Sequence, residues 1–332
     1  MNISIITCTY NPDERILSKV LDAVRQLVLP AEGNVEYLII DNNSNPSLSQ
    51  SPYINNFLND ISWSKLIVET QQGLSYSRLR GFNESTGDII IFFDDDNVAD
   101  ANYLVEIKQL FKNNVQVGIW GPGNIDVVFT DPVSAWVERS TKGIFQEKHI
   151  ETVEFGYSLN GASFHPFGTG MALKREIIQF YYDQFVKGGF TTSDRKGNSL
   201  ASSGDTQLLY AAYKMRLATG VSPGLKMKHL IPGKRTTINY ICKLLYGSYS
   251  TGDTAFVESF PEYKNRVALP SSKRVLKDIV KKALSVNTLK NQVQFKMDMA
   301  AYMGNIIGKY KALDSKEPEW MNKIVNFLKL ES

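Results

Sequence analysis

A run of five apolar residues, Ile89–Phe93, stops on three consecutive carboxylates, Asp94, Asp95 and Asp96. Such a run reads as a strand covered on both faces, and its C-terminal end opens at the mouth of a parallel-type sheet. Ligands of open α/β sheets bind at that edge. Adjacent acids repel one another, and a divalent cation shared with phosphate oxygens is the usual reason for keeping them together. The competing reading is structural, a polar turn capping a helix over Asp100–Lys112.

The elements that would position these acids run through the first half of the chain. Ile3–Cys8 reads as a strand and ends on Thr9-Tyr10-Asn11. Asp13–Leu27 carries Ile16, Val20, Leu21, Val24 and Leu27 at helical spacing. Tyr37–Ile40 is a second strand, closed by the turn-forming cluster Asp41-Asn42-Asn43-Ser44-Asn45-Pro46. Leu66–Val68 is a short third strand, Gly73–Glu84 a helix, and Gly87-Asp88 turns into the acidic strand. This alternation predicts a doubly wound α/β fold with a nucleotide-sized crevice at its carboxyl edge. Beyond it, Val117–Trp120 reads as a strand followed by irregular chain, and Met171–Asp183 and Asp205–Leu217 read as helices. Ser193–Gly204 reads as an exposed loop. Further helix is predicted around Met297–Leu313 and Trp320–Leu330.

Composition narrows the class. The chain has 332 residues, a formal net charge of +3, and the apolar and charged fractions of an ordinary globular protein. Nothing in that balance points to nucleic acid. The two cysteines, Cys8 and Cys242, lie far apart, so neither zinc nor a structural disulfide is expected. Without a signal segment before the first strand or an apolar run long enough to span a bilayer, the expected location is cytoplasmic.

Taken in order, the clusters at Thr9-Tyr10-Asn11, Asp41-Asn42-Asn43-Ser44, Gly73–Arg78, Gly87-Asp88 and Asp94-Asp95-Asp96 resemble the nucleotide-binding half of the family 2 glycosyltransferases, inverting enzymes of the GT-A fold. Pro132…Trp136, Phe167–Arg175, Gly204–Leu208 and His229…Arg235 extend the resemblance to about residue 250, towards bacterial enzymes that build exopolysaccharide, capsule and O-antigen. One departure is Gly204-Asp205, where such enzymes usually carry Glu-Asp.

The resemblance implies a catalytic domain over 1–250, divided into a nucleotide-binding half (1–98) and an acceptor half (99–250), with a helical extension over 251–332. It implies a central mixed sheet flanked by helices. Asp94 and Asp96 would hold Mn2+ or Mg2+, Asp96 closer to the metal and Asp94 nearer the ribose or sugar. Asp95 is counted on the donor side, although strand alternation turns it away and favours a supporting role. Thr9, Tyr10, Asn11, Asn43 and Gly73 would line the nucleotide. Asp41 matches the acid that accepts from the uracil ring N–H in relatives using uridine nucleotides; its structural reading, an Asx-turn cap, is compatible with that role.

Arg78 would pair with phosphate through its fork, ahead of Arg80. Asp205 would be the base that takes the acceptor hydroxyl proton, against the structural reading of a helix N-cap. His229 would be a third metal ligand, against a structural histidine. Lys234 and Arg235 would serve the pyrophosphate. Gly170, with Gly168 and Thr169, would let backbone approach the donor sugar, and Trp136 would stack on an acceptor sugar.

The basic helix Lys273–Lys282 admits two readings, packing on the protein or lying on an anionic membrane. The expected activity is metal-dependent, inverting transfer of a hexose from a nucleotide sugar, a UDP-sugar first, to a hydroxyl of a lipid-linked cell-surface glycan, at the inner face of the membrane. The rivals are a glycan-binding protein of transferase descent and a sugar-phosphate nucleotidyltransferase. The latter needs a Gly-rich basic loop where this chain has Thr9-Tyr10-Asn11-Pro12.

Overall fold

The computed structural model describes residues 1–190, 200, 202–284 and 292–331. Most of the Ser193–Gly204 loop lies outside them. The first half alternates as the periodicities require: β1 (Ile3–Thr9), α1 (Glu14–Arg25), β2 (Val35–Asp41), α2 (Pro52–Asp60), β3 (Ser64–Val68), α3 (Leu74–Glu84) and β4 (Ile89–Phe92). There follow β5 (Asn97–Ala99), α4 (Tyr103–Asn113), β6 (Val117–Phe129), α5 (Ala135–Ser140), β7 (Lys148–His149), β8 (Glu154–Gly156), β9 (Ala172–Lys174), α6 (Arg175–Val186), α7 (Gly204–Lys214) and β10 (Ala218–Ile231).

Among the described residues these strands form one mixed sheet in the order β3-β2-β1-β4-β9-β6-β10-β5, with β7 beside β6 and β8 beside β10. β1, β2, β3 and β4 run parallel, whereas β9 is antiparallel to β4 and β6. β10 is parallel to β6, and the short β5 returns antiparallel beside it. The β-branched runs of β1 and β4 suit a sheet covered on both faces. One face buries Ile3, Ile5, Tyr37, Ile39 and Ile91 with Leu17, Val20, Leu21 and Val24 of α1. On the other, α3 packs so closely that a Cβ at Gly81 would lie 2.6 Å from Ile6 Cγ2 and 3.2 Å from Ile40 Cγ1.

Two elements differ from expectation, and a third, β10, had no counterpart in the sequence reading. The strand at Val117 does not end at Trp120 but runs on to Phe129, through Gly121-Pro122-Gly123. The helix expected over Met171–Asp183 begins with strand β9 and turns helical only at Arg175. β10 contains Ser222-Pro223-Gly224, and its pairing with β6 jumps from Ser222 to Lys226. Turn-forming residues here shift the register between the two strands instead of ending β10.

The chain divides into two compact units, Met1–Val186 with Leu208–Pro232, and Lys187–Gln207 with Gly233–Ser332. The second is helical: α8 (Ile238–Ser259), α9 (Ser272–Ala283), α10 (Gln292–Ala312) and α11 (Glu319–Phe327). α8 runs unbroken through position 250 and packs along α10, with Lys309 Nζ 3.2 Å from Asp253 Oδ2. Among the described residues no helix is long and apolar enough to cross a membrane.

Candidate nucleotide and metal site

Because β1, β2 and β4 are parallel, their polar C-terminal clusters share one edge of the sheet. Strand β4 ends at Phe92, so the three acids sit on a turn, with Asn97 N–H donating to Asp94 O (3.0 Å). Strand alternation therefore does not sort them, and they diverge three ways. Asp94 Oδ1 lies 3.8 Å from an Arg78 guanidinium nitrogen. Asp95 Oδ2 accepts from Thr9 Oγ1 at 2.6 Å, tying the β4 turn to the end of β1. Asp96, buried, lies with Oδ1 3.5 Å from His229 Nε2 and accepts from Asn97 Nδ2 at 2.9 Å.

His229 reaches Asp96 because β10 pairs with β5, setting His229 opposite Asn97. Its Nδ1 lies 2.8 Å from the Phe145 carbonyl, the geometry of an Nδ1–H donor, which turns Nε2 towards Asp96. Burial opposes an imidazolium here, but the charge and hydrogen bond of Asp96, with the Phe145 carbonyl, outweigh it and hold the pKa above the usual histidine value.

Arg78 is buried inside α3, its guanidinium 4.9 Å from the Phe92 ring centroid. Cys8 borders the same edge. Burial pushes its thiol up to about 12, despite the nearby Arg78 charge, so it behaves as a small inert hydrophobe.

The loop after β2 is held from within. Asp41 is fully buried; one oxygen accepts from Ser44 N–H (2.9 Å) and the other from Leu48 N–H (3.0 Å). It is the organiser of its own turn, the structural role weighed for it above. Asn42, which the sequence presents only as a turn former, makes three bonds. Its Nδ2 donates to Glu69 O (3.2 Å) and Gln71 O (2.8 Å), and its Oδ1 accepts from Gly73 N–H (2.8 Å). It thereby fixes the start of α3 and hence Arg78. Asn11 and Asn43 both have left-handed backbones, at φ 46° and 63°. Asn11 N–H donates to Ser44 Oγ (2.9 Å), and its Oδ1 accepts from Asn45 N–H (2.8 Å). Tyr10 and Asn43 are exposed.

The space beside Gly170 is filled by the protein itself. At φ +70°, a Cβ there would meet Met227 Cε at 2.7 Å and the Tyr103 hydroxyl at 2.8 Å. Its carbonyl accepts from buried Tyr103 Oη at 2.5 Å. The glycine is thus required by internal packing. Trp136 is half-buried on α5, whose inward residue is Val137.

Three expected site residues, Asp205, Lys234 and Arg235, belong to the second unit. Asp205 is the second residue of α7, in the first turn where the helix's positive end favours a carboxylate, and so lies just inside the cap position. Arg235 is half-buried and Lys234 exposed on a single 3-10 turn, Gly233–Arg235.

Among the described residues no group of three or more His, Cys, Asp or Glu side chains converges as a complete metal cage. Magnesium-type sites need none, since one or two protein ligands share the ion with substrate phosphates. Asp96 and His229 fit that requirement: one carboxylate oxygen faces one ring nitrogen, and the other ring nitrogen is anchored to a carbonyl, as in oriented histidine ligands.

Against known proteins, the family model described as "Glycosyl transferase family 2" matches residues 4–181, more than half of the chain. The chain belongs to that family. It is 26% identical over 230 residues to the glucosyl-dolichyl phosphate glucuronosyltransferase of Haloferax volcanii, covering 64% of each chain. It is 28% identical over 102 residues to the cholesterol galactosyltransferase of Borreliella burgdorferi, covering 31% of this chain and 27% of the other. The match thus spans less than two thirds of the length of either relative. Residues 1–349 of S. aureus TarS in complex with UDP-GlcNAc share the fold at a TM-score of 0.50 and 14% identity, with 96% of this chain and 93% of that one covered. The architecture is that of a GT-A glycosyltransferase with a helical C-terminal region.

Proposed function

We propose that the chain is a metal-dependent, inverting transferase that moves a hexose from a uridine diphosphate sugar to a hydroxyl of a growing, lipid-linked glycan. The observation that carries this reading is the buried Asp96–His229 pair beside Arg78 and Asp94, at the carboxyl edge of the parallel strands. Asp96 and His229 would hold Mn2+ or Mg2+, which neutralises the charge that develops on a departing nucleoside diphosphate. Arg78, already oriented by Phe92 and Asp94, would pair with a phosphate oxygen. Asp205 would accept the acceptor hydroxyl proton as that oxygen attacks the anomeric carbon, and one such displacement inverts the anomeric centre. The UDP-GlcNAc complex of TarS supports a uridine nucleotide, and the dolichyl phosphate and cholesterol in the relatives' names support a lipid acceptor.

The test is a panel of nucleotide sugars, with and without Mn2+, scored for thermal protection and nucleoside diphosphate release. Release from UDP-sugars only with the cation is expected. Equal release with the cation chelated, or a response only to nucleoside triphosphate and sugar phosphate, overturns the reading.

A further inference from the structure

Helix α9 carries more apolar surface than its packing uses. The stretch Ser271–Leu284 contains five basic residues, Lys273, Arg274, Lys277, Lys281 and Lys282, and one acid, Asp278. Ser271 Oγ caps the helix by accepting from Arg274 N–H (3.3 Å). One face packs inward: Val275 is fully buried, Ile279 is half-buried, and Asp278 accepts from the Tyr302 hydroxyl of α10 (3.1 Å). Lys282 folds over the same Tyr302 ring, at 5.5 Å. The single acid of the helix is therefore turned to the packed side. One turn round, Leu276, Val280 and Leu284 stand 47%, 54% and 71% exposed. They recur every fourth residue and so form a straight ridge. Lys273, Lys277 and Lys281, all exposed, recur at the same spacing in the adjoining row.

We infer that this outer face of α9 is a docking surface for an anionic lipid bilayer. An apolar ridge flanked by a row of lysines is the composition of a helix lying in the membrane interface, with its side chains among the acyl chains and its ammonium groups at the lipid phosphates. The ridge is one residue wide, and the long lysine stems beside it reach headgroup phosphates without fixed geometry. Membrane attachment here is independent of the catalytic reading and does not require Asp96, His229 or Asp205.

The test uses the intact chain in vesicle co-sedimentation, with phosphatidylcholine vesicles and with vesicles containing phosphatidylglycerol. Binding to the anionic vesicles alone, weakened by salt, is expected. Each lysine removed near the surface weakens binding about fivefold, so K273A/K277A/K281A should lose affinity on the order of 100-fold. L276S/V280S should weaken binding to anionic vesicles without changing that to soluble poly-glutamate; melting curves establish that both variants stay folded. Equal binding to neutral vesicles, indifference to both variants, or poly-glutamate binding as tight as vesicle binding would overturn the proposal, the last outcome pointing to an acidic protein partner.

Discussion

Replacing Asn42 by alanine isolates the contact that positions the nucleotide edge. Asn42 is buried and makes three hydrogen bonds, to Glu69 O, Gln71 O and Gly73 N–H, at 3.2, 2.8 and 2.8 Å. Each contributes about 1 kcal/mol net, and the alanine variant also strands their partners in a partly buried loop. Water can repair some of that loss, which leaves about 2 kcal/mol. For a unit of this size the corresponding fall in Tm is roughly 4–8 °C. The loss falls where α3 begins, so UDP affinity should drop with it as Arg78 is no longer held. Differential scanning fluorimetry on Asn42→Ala, with and without UDP, reads both effects. Asn42→Asp should not rescue, because it keeps an acceptor for Gly73 but aims a carboxylate at two carbonyls. A Tm within 1 °C of wild type for either variant would refute the argument.

Three further outcomes are expected. Gly170→Ala forces a Cβ onto a left-handed backbone and against Met227 and Tyr103, and should cost about 2–4 kcal/mol in urea unfolding. Glu36 is opposed by burial, yet hydrogen bonds from Ser4 and Thr86 and the Lys65 charge hold its carboxyl below the usual value. A depressed folded-state pKa gives stability that is present above about pH 4.3 and lost as pH falls through the folded value. The Tm advantage of wild type over Glu36→Gln should therefore shrink on acidification from pH 6 to pH 3; an advantage that grows would reverse the sign. Asp205→Asn should keep UDP-sugar affinity while transfer falls by about 10²–10⁴-fold, and a fall under tenfold would remove it as the base.

The parallel half of the fold was legible because each element is local. The α1 stripe, the isoleucine runs of β1 and β4 and the polar clusters after them can be read from neighbours in sequence. The continuation of β6 beyond Trp120, β9 and β10 were not, since long-range pairing makes them strands. Gly121-Pro122-Gly123 and Ser222-Pro223-Gly224 read locally as turns, and the three residues of β9 read as the start of a helix. The same division holds at the site. The identities of Asp94, Asp95 and Asp96 were plain, but their directions depend on β4 ending at Phe92. Asn42 looked like any turn residue, because its partners at Glu69, Gln71 and Gly73 lie about thirty residues away. The Phe145 carbonyl behind His229 left no sequence signal at all.

The proposed chemistry rests on Asp96 and His229 holding a divalent cation together with a nucleoside diphosphate. The direct measurement is the thermal shift of the protein with UDP, Mn2+ or both, on wild type and Asp96→Asn. At a UDP concentration near 100 times Kd, wild type should gain about 2.7 kcal/mol only when both are present, and Asp96→Asn should gain little. The same stabilisation by UDP with EDTA present, or an undiminished gain in Asp96→Asn, would contradict the assignment.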